Sequence, residues 1–398
     1  MNEKKVISDL PKSFFKGKKV FVRVDFNVPI DNKTNSIRED YRIRRTISTI
    51  DYLLDCGAKI ILGSHLGRPR GQRISDLSLE IVSNRLSQLL DKKVIFCKDF
   101  IKNKLAEKID LLPNRSVVML ENLRFYKEET NNDANFSRHL AKLADIYVNE
   151  AFGTSHRTHS STYGMALDFD TRLAGFLVDK ELKFISKMLK EPKHPFVVII
   201  GGSKINDKMR AMGNLLEIAD KIIIASGAGY TFIKANGGKI GDSICENEML
   251  DWARDIYKKY SEKIVLPLDH LISQSVQNTD SCLIVNSDIP DGYKALDIGP
   301  KTIELFDSII KGPKYIFWNG PMGVFELDAF SSGTIHVAKA IALATLRGAT
   351  SVVGGGETIA AIRKAEVLES EISHMSTGGG ALLEYISGAK LPGIEILD

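Results

Sequence analysis

Arginine, histidine, lysine and glycine carry most of the chemistry open to this chain, and they recur just past short apolar runs. Two glycine triplets, Gly354-Gly355-Gly356-Glu357-Thr358 and Thr377-Gly378-Gly379-Gly380, each follow a strand-like run and open a helix-like one. A strand, a glycine turn and a helix start together make an anion site. The missing Cβ lets the backbone approach the ligand, and the first free N–H groups of the helix point at it with the positive dipole end behind them. A polyphosphate held by the second half and a small anion held by the first is the chemistry these residues suggest.

Four segments of the first half repeat one pattern. Arg23-Val24-Asp25-Phe26-Asn27-Val28-Pro29 follows the apolar run that starts at Val20, and alternation would put Arg23, Asp25 and Asn27 on one side of the chain. Arg clamps a carboxylate or phosphate, while Asp and Asn meet hydroxyls. Ser64-His65-Leu66-Gly67-Arg68-Pro69 projects two cationic donors from a turn. Glu121-Asn122-Leu123-Arg124-Phe125 and Gly153-Thr154-Ser155-His156-Arg157-Thr158-His159 follow their own strands in the same way. Taken singly, each is equally an ordinary strand end or a solvated loop. In a parallel sheet all strand-to-helix loops lie along one edge, so these four and the nearby Arg42 should converge. The His156/His159 spacing brings no companion cysteine or carboxylate signature, which argues against a metal there.

The second half differs. Gly201-Gly202-Ser203-Lys204-Ile205-Asn206-Asp207-Lys208 follows the run Phe196 to Ile200, and on a helix Lys204 and Lys208 would share a face. Trp318-Asn319-Gly320-Pro321-Met322-Gly323-Val324-Phe325-Glu326 reads as a rigid turn whose amide and carboxylate suit ribose hydroxyls or a phosphate neighbour. Glu357 offers a carboxylate for a divalent cation. No GxxxxGK[ST] loop exists, neither triplet completes GxGxxG, and the HRD and DFG elements of protein kinases are absent.

The elements that must position these residues follow from pattern and length. At 398 residues the chain exceeds one comfortable core, so two domains are expected. Short β-branched runs alternate with longer amphipathic stretches, which predicts an α/β protein of two doubly wound, Rossmann-like parallel sheets. First-half strands are expected at Val20 to Val24, Ile60 to Leu62, Val94 to Phe96, Val117 to Leu120 and Ile146 to Val148. Second-half strands are expected at Phe196 to Ile200, Ile222 to Ile224, Ile264 to Leu266, Tyr315 to Trp318 and Ser351 to Val353. A Lys-rich segment ended by Pro192 and Pro195 predicts a connecting helix over 176–190 with a hinge, between domains 1–175 and 191–387.

Composition narrows the function class. With 43% hydrophobic and 26% charged residues and a net charge of +4, the chain lacks the general basic field of a nucleic-acid binder. The four cysteines, Cys56, Cys97, Cys245 and Cys282, form no CxxC pair and point to a reducing, cytoplasmic compartment. No apolar run approaches the ~18 residues of a membrane span, and no secretory signal is expected.

Together the segments resemble phosphoglycerate kinases. KVFVRVDFNVP, SHLGRP, ENLRF, AFGTSHRTHSS, GGSKINDK, WNGPMGVFE, GGGET and STGGG follow in that family's order and spacing from about residue 5 onward. The resemblance implies a phosphotransferase of glycolysis and gluconeogenesis. It moves a phosphoryl group reversibly between 1,3-bisphosphoglycerate and ADP, giving 3-phosphoglycerate and MgATP. By motif, Arg23, Asp25, Asn27, Arg42, His65, Arg68, Arg124 and Arg157 would hold 3-phosphoglycerate. Lys204 would accompany the transferring group, with Arg42, Gly379 and Gly380 also at the reaction centre. Lys208, Asn319, Glu326, Gly355, Gly356, Glu357 and Thr358 would hold ATP or ADP, and Glu357 the magnesium ion. The resemblance also implies a monomer with no membrane or nucleic-acid partner, domains that close about the hinge, and a tail, about 388–398, returning to the first domain.

Three departures matter. The family usually carries Asp where Glu357 stands, one methylene shorter, which bears on the metal and raises the alternative of a nucleotide-binding relative with weakened catalysis. Ala225-Ser226-Gly227-Ala228-Gly229 replaces a usual Gly-Gly-Gly-Met-Ala, and Ala295 a common Gly, which bears on the purine preference. A nicotinamide-dependent dehydrogenase, the remaining competitor on a doubly wound sheet, lacks its glycine fingerprint and its acidic ribose residue here.

Overall fold

Apolar runs with no polar alternation cannot lie on a half-exposed sheet, and here they build two sheets covered on both faces. The computed structural model describes residues 4–31, 33–101 and 104–398. It divides into two compact units, Met1–Lys183 with Lys390–Asp398, and Phe184–Ala389.

The first unit carries β1 (Lys19–Val24), the hairpin β2 (Ile30–Asp31) and β3 (Ser36–Ile37), β4 (Lys59–Gly63), β5 (Val94–Cys97), β6 (Val117–Leu120), β7 (Ile146–Glu150) and β8 (Arg172–Ala174). Six of these form one sheet in the order β5-β6-β4-β1-β7-β8. Every pair in it is parallel, with Val22 opposite Leu62 on one side and Val148 on the other. Every residue of β1 beyond Lys19 is buried, and Val20, Val22, Ile60, Leu62 and Val148 centre the core. The strand order reverses between β1 and β7, the place where open α/β sheets bind ligands.

In the second unit β9 (Phe196–Ile200), β10 (Lys221–Ile224), β11 (Ile264–Val265), β15 (Tyr315–Asn319), β16 (Thr350–Gly354) and β17 (His374–Ser376) form a parallel sheet in the order β11-β10-β9-β15-β16-β17. Its reversal falls between β9 and β15. The separate antiparallel sheet, β12 (Asp269–Ser273), β13 (Leu283–Asn286) and β14 (Lys294–Ile298), has the order β13-β12-β14. This small sheet is an addition to the two parallel sheets expected. Four-residue β13 is an edge strand with exposed Leu283 and Ile284, and β12 carries buried Asp269 and His270, so neither shows a strand's usual pattern.

The helix Phe176–Lys190 is continuous, and the division between units falls inside it. The last residues pack on the first unit. Arg172 donates from Nε and Nη2 to Asp398 Oδ1 at 3.0 and 2.9 Å, and Asn149 Nδ2 donates to the Gly393 carbonyl at 2.7 Å.

Candidate functional site

In the first unit the loops after β1, β4, β6 and β7 meet. Arg23, at the carboxyl end of β1, is 0% exposed. Its Nε donates to Ser161 Oγ at 2.8 Å and its Nη1 to the Val24 carbonyl, while Nη2 lies 3.4 Å from His65 Nδ1. Asp25 pairs with Arg42 and sits 3.8 Å from His65 Nδ1. Gly67 ties three loops together: its N–H donates to Asn27 Oδ1 at 2.9 Å and its carbonyl accepts from Arg124 Nη1 at 3.0 Å. Asn122 fixes the same turn by donating to the Leu66 and Leu77 carbonyls at 2.7 and 2.9 Å.

The electrostatics are those of an anion trap. Burial would raise the Asp25 carboxyl, but Arg42, His65 and Arg23 hold it below its ordinary value. Burial, with Arg124, Arg23 and Arg42, keeps His65 well below its usual range despite Asp25. The Arg124 guanidinium is pushed down to about 10, first by burial and then by Arg23 and Arg157. His159 falls to about 4 through burial and the fields of Arg124, Arg23, Arg157 and His156. A carboxyl held in its charged form, with a guanidinium and two imidazoles pushed toward their neutral forms, marks a cluster in which positive charge is in excess, suited to an anion. Arg157 joins this field from an exposed position, Asn27 is exposed with its side chain turned onto Gly67, and Arg68 is exposed on its turn. Because β1 ends at Val24, Asp25 and Asn27 lie beyond the strand, and strand alternation is not what aligns them.

In the second unit three loop ends are laced together at the sheet reversal. Gly201 N–H donates to the Asn319 carbonyl at 2.9 Å, and Gly202 N–H to the Pro321 carbonyl at 2.8 Å. A Cβ at Gly201 would drive into the carbonyl oxygens of Gly320 and Pro321, so only glycine lets these loops touch. Asn319 Nδ2 donates to the Gly354 carbonyl at 2.9 Å, and Thr358 Oγ1 accepts from Gly320 N–H at 2.8 Å. These two side chains therefore hold neighbouring loops in place. Gly355, with φ of 97°, turns the chain into the helix Gly356–Lys364.

Two clefts flank this junction. One, of about 510 Å³, is lined by Ser226, Tyr230, Ala295, Leu296, Glu326 and Glu357 among others. The other, of about 960 Å³, is lined by Lys204, Lys208, Glu357 and Gly380 among others. Gly202, Ser203 and Glu357 line both. A Cβ at Gly202 would lie 3.2 Å from Lys208 Nζ and 3.9 Å from Glu357 Oε2, so the ammonium and the carboxylate face each other across that glycine. Burial lowers Lys208 to about 8, against the pull of Glu357 and Asp207.

The expected helical face bearing Lys204 and Lys208 does not form. Lys208 closes a 3₁₀ turn, Asn206–Lys208, the helix begins at Met209, and Lys204 precedes both. The backbone N–H groups of Ile205 and Asn206 donate instead to the Glu246 carboxylate. Lys208 Nζ folds back onto the Gly201 carbonyl. Of the departures, Ser226 and Ala295 line the smaller cleft while Ala225 is buried away from it.

Sequence reasoning missed Ser161 and Glu129. Ser161 lies inside a quoted motif, but its partner Glu129 is 32 residues away, and no spacing signals the pair. Tyr230, Asp242 and Lys294, which line the smaller cleft, were missed as well. Among the described residues no group of three or more His, Cys, Asp or Glu could hold a metal, and no helix is long and apolar enough to cross a membrane.

The family model described as phosphoglycerate kinase matches residues 8–389. The chain belongs to the phosphoglycerate kinase family. The phosphoglycerate kinase of a Picosynechococcus species is 45% identical over 396 residues, covering 99% of each chain. That of Thermosipho africanus is 46% identical over 397 residues, covering 98% of this chain and 97% of the relative. Among solved structures, the phosphoglycerate kinase of Coxiella burnetii matches with a TM-score of 0.85 and 36% identity, and covers 99% of this chain and 98% of that one. The match to that of Pyrococcus horikoshii has a TM-score of 0.86 and 32% identity over the same shares. Fold and membership of the phosphoglycerate kinases thus agree along the whole chain, and the cationic cluster and the glycine-built clefts lie where both sheets reverse.

Proposed function

We propose that this chain catalyses reversible phosphoryl transfer between 1,3-bisphosphoglycerate and ADP, giving 3-phosphoglycerate and MgATP. The single observation that carries the assignment of sites is the convergence of Arg23, Asp25, Arg42, His65 and Arg124 on one sheet edge of the first unit. That cluster, with Asn27, Arg68 and Arg157, holds the three-carbon acid. Lys208, Glu326 and the loop Gly355–Thr358 hold the nucleotide, with Asn319 fixing the loop. Lys204 accompanies the moving phosphoryl group, and the Gly379 and Gly380 amides face it.

The chemistry needs little else. In the ATP-consuming direction a carboxylate oxygen of 3-phosphoglycerate attacks the γ-phosphorus, the bond to the β-phosphate oxygen breaks, and ADP leaves. The nucleophile is ionised at neutral pH, so no general base is required. Aligning two polyanions and neutralising charge on the transferred group is the whole task, and arginine, lysine and glycine-turn amides perform it. Direct transfer requires closure about the helix Phe176–Lys190, which excludes water from the reacting groups.

A lone carboxylate shared by both clefts, Glu357, fits a cation that arrives with nucleotide phosphates, because magnesium commonly takes one or two carboxylates plus substrate oxygens. Bound there, it would supply neutralisation of charge on the phosphate chain. Glu357 keeps the acidic group of the usual aspartate beside Lys208, so nothing favours a relative with weakened catalysis. A cytoplasmic monomer accompanies this reading; the Volvox carteri relative is named chloroplastic. The test is a coupled assay with 3-phosphoglycerate, ATP and magnesium. Turnover supports the reading, and purified chain that binds ATP without turnover refutes it.

A further inference from the structure

The cationic cluster contains one relay that none of its anion-binding roles requires. Arg23 Nε donates to Ser161 Oγ at 2.8 Å, so that hydroxyl must send its own proton elsewhere. It donates to Glu129 Oε1 at 2.6 Å, and the Ser161 backbone N–H donates to Glu129 Oε2 at 2.9 Å. Both oxygens of Glu129 are thus committed to one residue. Glu129, Ser161 and Arg23 are each 0% exposed. Tyr147 closes the arrangement by donating to the Ser161 and Thr162 carbonyls at 3.1 and 3.2 Å.

We infer that Glu129 and Ser161 are positioning residues that aim the Arg23 guanidinium at the acid substrate. The inference rests on the reading that Arg23 holds 3-phosphoglycerate. A guanidinium on a three-carbon stem has several rotamers, and only a fixed one presents its fork to a carboxylate or phosphate. Fixing Nε by a hydroxyl sets the plane of the guanidinium, with Nη1 on the Val24 carbonyl and Nη2 on the His65 side, so the N–H groups left over can point in only one way. The relay runs one way only: guanidinium to hydroxyl to carboxylate. An amide at position 129 would turn a donor toward one of the two Ser161 donors and break it.

The same grip orders a second loop. Ser161 lies in the π-helical turn Ser160–Gly164, directly after the stretch bearing His156, Arg157 and His159. One buried carboxylate therefore sets both the β1 arginine and the segment after β7. Burial raises the Glu129 carboxyl, while Arg23, Ser161 and Arg124 oppose that rise.

The experiment measures KM for 3-phosphoglycerate and for ATP in Arg23→Met, Ser161→Ala, Glu129→Gln and the double variant Arg23→Met/Ser161→Ala. Ser161→Ala is expected to raise KM for 3-phosphoglycerate about tenfold, the equivalent of one lost buried hydrogen bond to a charged group, with KM for ATP within about twofold of the native value. Glu129→Gln should do the same without removing the hydroxyl. Because Ser161 works through Arg23, the double variant should be no worse than Arg23→Met alone. Additive losses, or equal effects on both substrates, would show a merely structural role and overturn the inference. If Arg23→Met raises KM and neither partner does, the relay falls while the site reading stands. If Arg23→Met itself leaves KM for 3-phosphoglycerate unchanged, the site reading is what fails. Should Ser161→Ala fail to fold, Glu129→Gln alone decides by the same split between the two KM values.

Discussion

Replacing Asp297 by Asn should change the pH dependence of stability in the second unit by an amount the structure fixes. Asp297 lies in β14, fully buried, and its oxygens accept from Ile298 N–H at 2.9 Å and Gly333 N–H at 2.8 Å. No cation is among the groups that set its charge. Burial lifts the carboxyl from 3.8 to about 7, and the two backbone donors offset only part of that. A carboxyl whose folded value is raised stabilises fully below its unfolded value and loses that contribution as pH rises through the folded one. The interval is worth about 4 kcal/mol, of which about 2.5 kcal/mol falls between pH 5 and pH 8. Asn cannot titrate, and its amide group opposes one of the two donors, a pH-independent cost of about 1–3 kcal/mol. The difference between Asp297→Asn and native protein should therefore move by about 2.5 kcal/mol in favour of Asn from pH 5 to pH 8. Both tryptophans, Trp252 and Trp318, lie in the second unit, so urea unfolding followed by their fluorescence reads that unit directly. Buried His270, held down to about 4, titrates in both proteins and cancels in the difference. A difference that does not vary with pH would show that Asp297 is charged in the fold and refute the reasoning.

Four other expectations are separable. Gly201→Ala forces a Cβ against two backbone carbonyls, so it should cost about 1–3 kcal/mol of stability and weaken ATP; native ATP affinity by titration calorimetry would contradict the loop junction. Lys204→Ala should lower kcat far more than it raises either KM, because its contact forms mainly with the moving phosphoryl group; steady-state kinetics with unchanged kcat would remove it from the reaction. Glu357→Asp should shift the magnesium concentration for half-maximal activity, and superimposable titrations would make the longer side chain a neutral exchange. His159 should stay neutral until pH approaches about 4, so its NMR signals should titrate well below the ordinary histidine range. A midpoint near 6.5 would mean that neither its burial nor the surrounding arginines act on it.

The parts that sequence made readable are those whose physics is local. Runs such as Phe196–Ile200 have no polar face, so they can only be central parallel strands, and the glycine turns after them follow from the close approach they permit. The cationic segments could be placed together because parallel topology puts every strand-to-helix loop on one edge. What failed depended on partners distant in sequence. Lys204 and Lys208 have helical spacing, yet Glu246 accepts from the N–H groups of Ile205 and Asn206, and the chain between the lysines does not form a helix. The loop-bracing hydrogen bonds of Asn319 and Thr358 were equally hidden, because their backbone partners, Gly354 and Gly320, lie 35 and 38 residues away. The antiparallel strands hid because buried Asp269 is satisfied by the N–H groups of Lys301 and Thr302, at 3.0 and 2.8 Å, and by the Thr302 hydroxyl. Such a residue reads as surface in sequence and as core in the fold. The same argument holds within the cationic cluster of the first unit: arginines announce themselves by type, whereas the groups that aim Arg23, namely Ser161 and Glu129, are ordinary residues whose role exists only through a contact. Mutating the cations alone would therefore measure charge, and only their uncharged or oppositely charged supports can show how much of the site is geometry.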